Sequence, residues 1–367
     1  MRNFQCGKCG VRVFFENSRC LSCQTDLGFV PADLAVATFL PAAADLTLQR
    51  TDGAGLYRRC GNHQTAGACN WMVPAESPVP FCPSCRLSHI IPDLSKPGNQ
   101  RAWLKLEMAK RRVIYSLLSL GLPVRSKEED AVAGLAFDFL EDTPPGAPGD
   151  DHVFTGHVNG LITINLDEAD DPKRELAREL MGEMYRTVLG HFRHEVGHYY
   201  WDLLVSGTPR LEQFRTVFGD ERADYNSKLG NHYANGAPPN WQQSHVSPYA
   251  ASHPWEDWAE TWAHYLHIMD TLETAASEGL ILQQGPDQTI FQAPIGRPFS
   301  DIASQWRDVR LLLNGLNRSM GLPDPYPFVL ADVVIQKLTL IHDWVAFREP
   351  VAGETPSATP AGVGMSS

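Results

Sequence analysis

The sequence predicts an α+β protein in which a cysteine-rich N-terminal module precedes a mainly helical body with a small antiparallel sheet. Three observations carry this prediction. All eight cysteines lie between Cys6 and Cys85. The stretch RAWLKLEMAKRRVIYSLLSLGL, and the later series Leu176, Leu180, Met184 and Val188, space apolar residues three and four apart, the period of an amphipathic helix. In GLITINLDEADD, Ile162, Ile164 and Leu166 alternate with Thr163, Asn165 and Asp167, as in a strand with one buried face.

The chain has 367 residues, enough for one large domain and a small one. Its 43% hydrophobic and 20% charged residues are ordinary for a globular protein. A net charge of −12 argues against broad binding to nucleic acid or to anionic membranes, which need a positive surface. The most basic stretch, Lys110-Arg111-Arg112, is short. No run approaches the ~20 apolar residues of a membrane span, and MRNFQC lacks the apolar core of a secretory signal. The expected location is cytoplasmic. In that reducing compartment, clustered cysteines point to metal rather than to disulfides.

Composition divides the chain into residues 1–95, a zinc-ribbon region holding every cysteine; 96–150, a helical connector and an acidic Pro/Gly linker; 151–348, the main body; and 349–367, a tail expected to be disordered. Residues 100–140 read as helical, and EDTPPGAPGDD as a loop. In the main body a strand over Leu161–Leu166 is followed by a helix from about Pro172 to Leu204, with Gly190 marking a break or a close contact.

The first cysteine group is Cys6-x-x-Cys9 with Cys20-x-x-Cys23. Each pair sits on a tight turn, so that four thiolates can complete one tetrahedral zinc site. Glycines follow Cys6 and Cys9, as such turns require. The second group is Cys60, Cys69, Cys82 and Cys85, with His63 as the alternative to Cys69; four sulfurs are preferred, since an idle cysteine beside three ligands is unexpected. With four protein donors, both sites are closed and structural. Phe4, Phe14, Phe15 and Trp71 are expected to form a small core beside them, and the ribbons offer a surface for a protein partner.

The segment GHFRHEVGHYYW contains His194-Glu195-Val196-Gly197-His198, an H-E-x-x-H pattern. Residues four apart share a helix face, so both imidazoles can reach one ion, and Glu195 stands beside it as a general base. His191 lies seven residues from His198, ~10 Å along the axis, too far for all three to share an ion; it is expected to be structural. A catalytic zinc takes a third protein ligand. SHPWEDWAETWAHYLHIMD offers Glu256 and Glu260, four apart on one face; Glu256 is assigned as ligand and Glu260 as the acceptor that orients a ligand histidine. FGDERADYN, with Asp220, Glu221 and Asp224, is the competing source. His264 and His267 are expected to be solvated or hydrogen-bonded.

The paired cysteines, CNWMVP, IPDL, AKRRVIYSLLSLGLP, YRTVLGHFRHEVGHYYWDLL, FGDERADY, HPWEDWAETWAHYLHIMDTLETA and PYPFVL resemble the bacterial zinc-binding metallopeptidases that carry an N-terminal zinc ribbon. The resemblance runs to about Phe347. It implies a zincin-like fold for the body. EDWAETWA is similar to the E-x-x-A-(D/N) helix of gluzincin peptidases, which implies the ligand role for Glu256; this chain has glutamate at 260 where those peptidases have Asp or Asn.

The expected activity is hydrolysis of peptide bonds, with one catalytic zinc on His194, His198 and Glu256, two structural zincs, Glu195 as base, and Tyr249 or His253 as stabiliser of the transition state. Strand Leu161–Leu166 is expected to form the cleft edge and pair with an extended peptide or protein substrate. The alternatives are a non-enzymatic ribbon scaffold with a structural third zinc, and an amidase acting on a non-peptide amide.

Overall fold

The computed structural model describes residues 2–42, 46–143, 153–170 and 187–347. Part of the acidic linker, the tail, and Leu176, Leu180 and Met184 of the expected long helix lie outside them. The architecture is α+β: a ribbon region of short strands precedes a mainly helical body, with eight α-helices among the described residues.

A small hairpin, β1 (Phe4–Gln5) with β2 (Arg12–Val13), presents Cys6 and Cys9. Gly10 has a φ of +72°, the left-handed turn expected after Cys9. A Cβ on Gly7 would stand 2.7 Å from Thr38 Oγ1, so close approach explains that glycine. An antiparallel five-stranded sheet follows in chain order: β3 (Asp26–Val30), β4 (Ala35–Pro41), β5 (Leu48–Arg50), β6 (Leu56–Arg59) and β7 (Met72–Pro74), with the short α1 (Gly61–Ala66) between the last two. Phe4, Phe15 and Trp71 are buried around Phe29 and Tyr115 with edge-on and tilted ring contacts. Phe14 departs from the expected core. It is 63% exposed, at the start of a turn closed by the Asn17 amide on the Phe14 carbonyl, while Phe15 takes the inner side.

Residues 100–140 are not helical throughout. Helix α2 (Asn99–Ser119) ends before Leu120, and Ala136–Leu140 is strand β9. That strand is covered on both faces, so AFDFL shows no alternation to separate it from a helix. Lys110, Arg111 and Arg112 form no basic patch: Lys110 is fully buried against Glu107, Arg111 bonds the Ala68 carbonyl, and Arg112 pairs with Glu16.

The sheet of the body is mixed rather than purely antiparallel, in the order β10 (Gly156–Val158), β11 (Leu161–Asn165), β9, β8 (Ser88–Ile90). Only β10–β11 is antiparallel; β11–β9 and β9–β8 are parallel. β8 comes from the cysteine-rich region and forms one edge, so the sheet crosses the sequence boundary near residue 95. The strand at Leu161 is interior, and the other edge is β10, two residues upstream.

Helix α3 spans Val188–Leu204, and the expected upstream stretch from Pro172 lies outside the described residues. Thr187 is extended and its hydroxyl accepts from the Gly190 amide, which caps the first turn. Gly190 therefore lies inside the first turn. α4 (Leu211–Phe218) and α5 (Tyr225–Asn235) lead to α6 (Pro254–Ser277), which packs along α3. A hairpin of β12 (Ile281–Gln284) and β13 (Asp287–Ile290), then α7 (Phe299–Ser319) and α8 (Asp332–Ala346), complete the body. Among the described residues no helix is long and apolar enough to cross a membrane.

Candidate metal centres

The pairing of α3 with α6 sets the main site. Gly197 faces α6, where an added Cβ would stand 3.0 Å from Ala259 Cα and 3.2 Å from Trp262 Cβ. The absent side chain lets the two helices touch, and Trp258 Nε1 donates to the Gly197 carbonyl at 2.8 Å. His194 and His198 flank that contact on α3. Glu256 and Glu260 lie on the first turns of α6, whose start is fixed by Pro254 and by His253 as N-cap. The close crossing thereby carries the carboxylates to the imidazoles.

His194 Nε2 lies 3.0 Å from Glu256 Oε2, His198 Nε2 lies 3.5 Å from the same oxygen, and the two Nε2 atoms are 3.1 Å apart. A tetrahedral ion with bonds of ~2.0–2.1 Å has edges of ~3.3 Å, so these three atoms form one face of such a polyhedron. All three residues are buried. Glu260 Oε1 meets His194 Nδ1 at 2.8 Å, and Ser247 Oγ donates to Glu260 Oε2 at 2.6 Å. Glu260 engages Nδ1, which leaves Nε2 as the ring nitrogen that faces Glu256 and His198. Burial opposes charge on His194, but Glu256 and Glu260 outweigh it and hold the imidazole well above its ordinary pKa. Burial likewise raises Glu256, and the two histidines reverse this to hold it well below the carboxylate range. The two carboxylates thus favour positive charge at the imidazoles.

Glu195 is buried beside the pair, and its Oε2 has no hydrogen-bond partner among the described residues. The Tyr249 ring centroid is 5.9 Å from that of His194. Burial, with Glu256 and neighbouring tyrosines, pushes the Tyr249 phenol well above its ordinary pKa, so it remains a donor. His253 does not join the cluster: its Nδ1 accepts from the Trp255 amide and its Nε2 meets the Ala223 carbonyl, which uses both ring nitrogens. His191 faces Glu168 at 3.2 Å, away from the three donors. The competing acids are engaged elsewhere. Asp220 binds Arg222, Glu221 binds Arg215, and Asp224 caps α5. His264 and His267 are hydrogen-bonded rather than solvated, to Tyr326 and Arg193.

Sequence reasoning missed Ser247 and Tyr225, whose hydroxyl donates to Glu256 Oε1 at 2.8 Å. Tyr225 sits in FGDERADYN, where only the acids drew attention, and a hydroxyl that serves a carboxylate leaves no spacing signature.

The eight cysteines form two tetrads. Sulfur pairs Cys6–Cys23, Cys9–Cys20 and Cys69–Cys82 lie 3.6, 3.7 and 3.7 Å apart. These match the ~3.8 Å edge of a tetrahedron with zinc–sulfur bonds of ~2.3 Å. His63 is outside the second tetrad, with Nδ1 on the Cys69 carbonyl at 2.7 Å. The donor chemistry of both tetrads fits zinc.

Comparison with known proteins agrees with these donor sets. No solved structure matches the chain. It is 43% identical over 345 residues to an uncharacterized protein of Mycobacterium bovis and to uncharacterized proteins of two Mycobacterium tuberculosis strains, with 93% of this chain and 94% of each relative covered. Residues 3–96 match a zinc-ribbon domain. Residues 99–344, over half of the chain, match the family described as "Putative zinc-binding metallo-peptidase", and the chain belongs to that family.

Proposed function

We propose that the protein is a zinc-dependent peptidase whose catalytic ion is held by His194, His198 and Glu256, with Cys6, Cys9, Cys20 and Cys23, and Cys60, Cys69, Cys82 and Cys85, holding two structural zincs. The observation that carries this is the meeting of His194 Nε2, His198 Nε2 and Glu256 Oε2 within 3.5 Å of one another beside a buried, unpartnered Glu195 oxygen. Three protein donors leave one position open, unlike the closed tetrads. An ion bound there would polarise the scissile carbonyl and ease ionisation of water near neutral pH. Glu195 takes the proton from the attacking water and delivers it to the departing amine. Glu260 keeps His194 in the productive tautomer, and the Tyr249 phenol, whose ring stands beside His194, is the donor offered to the oxyanion.

An extended substrate pairs with the edge strand β10 rather than with the interior strand at Leu161. β10 carries His157, whose ring lies parallel to that of His198 with centroids 6.3 Å apart. The eight cysteines, gathered as thiol tetrads without disulfides, suit a reducing cytoplasm.

The test is Glu195→Gln on a substrate found by peptide-library cleavage. The variant should keep three zincs per chain and lose hydrolysis by about 10²–10⁴-fold. Unchanged turnover removes Glu195 from the mechanism. A scaffold role is favoured only by Phe14 and Leu21, which stand exposed beside the first tetrad as a surface for a protein partner. Two zincs per chain, with no cleavage, would select that reading. An amidase would show the same zinc count and cleave only non-peptide amides.

A further inference from the structure

We infer that Tyr225 is a positioning residue for the third zinc ligand, holding Glu256 by Oε1 so that only Oε2 faces the imidazoles. The inference rests on the catalytic-zinc reading above. Tyr225 is the only residue among those described that hydrogen-bonds Glu256 Oε1, at 2.8 Å. The other oxygen, Oε2, is the one 3.0 and 3.5 Å from the two histidines. The two carboxylate oxygens therefore have separate tasks.

The contact is not a by-product of core packing. α5 buries none of its residues, yet its first residue reaches a carboxylate that is 1% exposed. Asp224 sets that first residue by accepting from the Ser227 amide at 2.7 Å. The Tyr225 ring rests on His253 and Trp255, at 5.2 and 6.0 Å between centroids, which aims the hydroxyl at the start of α6. The helix thus delivers one phenol to one oxygen.

The consequence follows from carboxylate geometry. An oxygen occupied by a phenol O–H is a poor second donor, so Glu256 offers a single atom and a fourth position stays open for water. Freed of the phenol, both oxygens can turn to one ion and crowd that position. Orientation of ligand carboxylates by hydrogen bonds of this kind governs affinity as well as geometry.

The experiment compares the full-length protein with Tyr225→Phe, which keeps the ring and its packing, and with Lys228→Ala, an exposed change on the same helix. Zinc content, zinc affinity by competition with a chromophoric chelator, and the visible spectrum after cobalt(II) substitution are measured, followed by kcat and KM. Tyr225→Phe should weaken the third zinc by about tenfold or more, shift the cobalt spectrum toward the weaker five-coordinate form, and lower kcat with KM nearly unchanged. Lys228→Ala should match the parent. A Tyr225→Phe protein with parental zinc affinity and cobalt spectrum overturns the inference, whatever its turnover. A parent that holds only two zincs overturns the catalytic-zinc reading itself, so the two failures are told apart by the parent's metal count.

Discussion

The ribbon region and the helical body gather metal donors in opposite ways. The ribbon supplies four thiols to each tetrad from turns close in sequence, and the second tetrad is buried at every member. The body supplies three donors from two helices, His194 and His198 lying 62 and 58 residues before Glu256, with the buried Glu195 carboxylate alongside. The first arrangement closes the coordination shell and spends metal binding on folding. The second depends on a packed core to bring its donors together and, on the proposed reading, leaves a position for chemistry. Closure belongs to stability, and openness to reactivity.

That contrast can be broken by perturbing each side. Cys82→Ser in the buried tetrad should give the largest effect, loss of cooperative thermal unfolding together with loss of a zinc; a variant that still melts like the parent would show that the ribbon does not depend on its metal. Glu260→Ala should leave the melting curve of the ribbon alone but weaken the third zinc about 10–100-fold, read by chelator competition. Gly197→Ala should cost about 1–3 kcal/mol by prising α3 from α6, seen in denaturant unfolding, and should also loosen the third zinc, because the same crossing positions Glu256. Arg12→Ala, which removes an exposed pair with Glu278 at 2.9 Å, should change stability by less than ~1 kcal/mol. If Arg12→Ala proves as damaging as Gly197→Ala, the division between a tightly built body and a tolerant ribbon surface is wrong.

The contrast also explains what could be read in the chain. Cysteine pairs three residues apart and histidines four apart encode contacts within about one turn, so their spacing carries them. Glu256 was reachable because it shares a helix face with Glu260, one partner in a local pattern. Strand β9 was hidden since both of its faces are covered, and the edge of the mixed sheet could not be read because edge position belongs to the whole sheet, not to a strand. The start of α3 was blurred because apolar residues continue with helical period upstream of Thr187. Tyr225 and Ser247 act across 31 and 13 residues through single hydroxyls, and such contacts exist only once the chain has folded.

Strand β8 has one more implication. It precedes the point where the ribbon and peptidase matches meet, yet it zips onto β9 as the sheet's outer member. A polypeptide begun at residue 99 would therefore leave the backbone of β9 unpaired along one side, an adhesive seam prone to self-association. Regions that look like separate modules in the sequence thus share one sheet through the three residues of β8, and the peptidase portion takes that border from its neighbour.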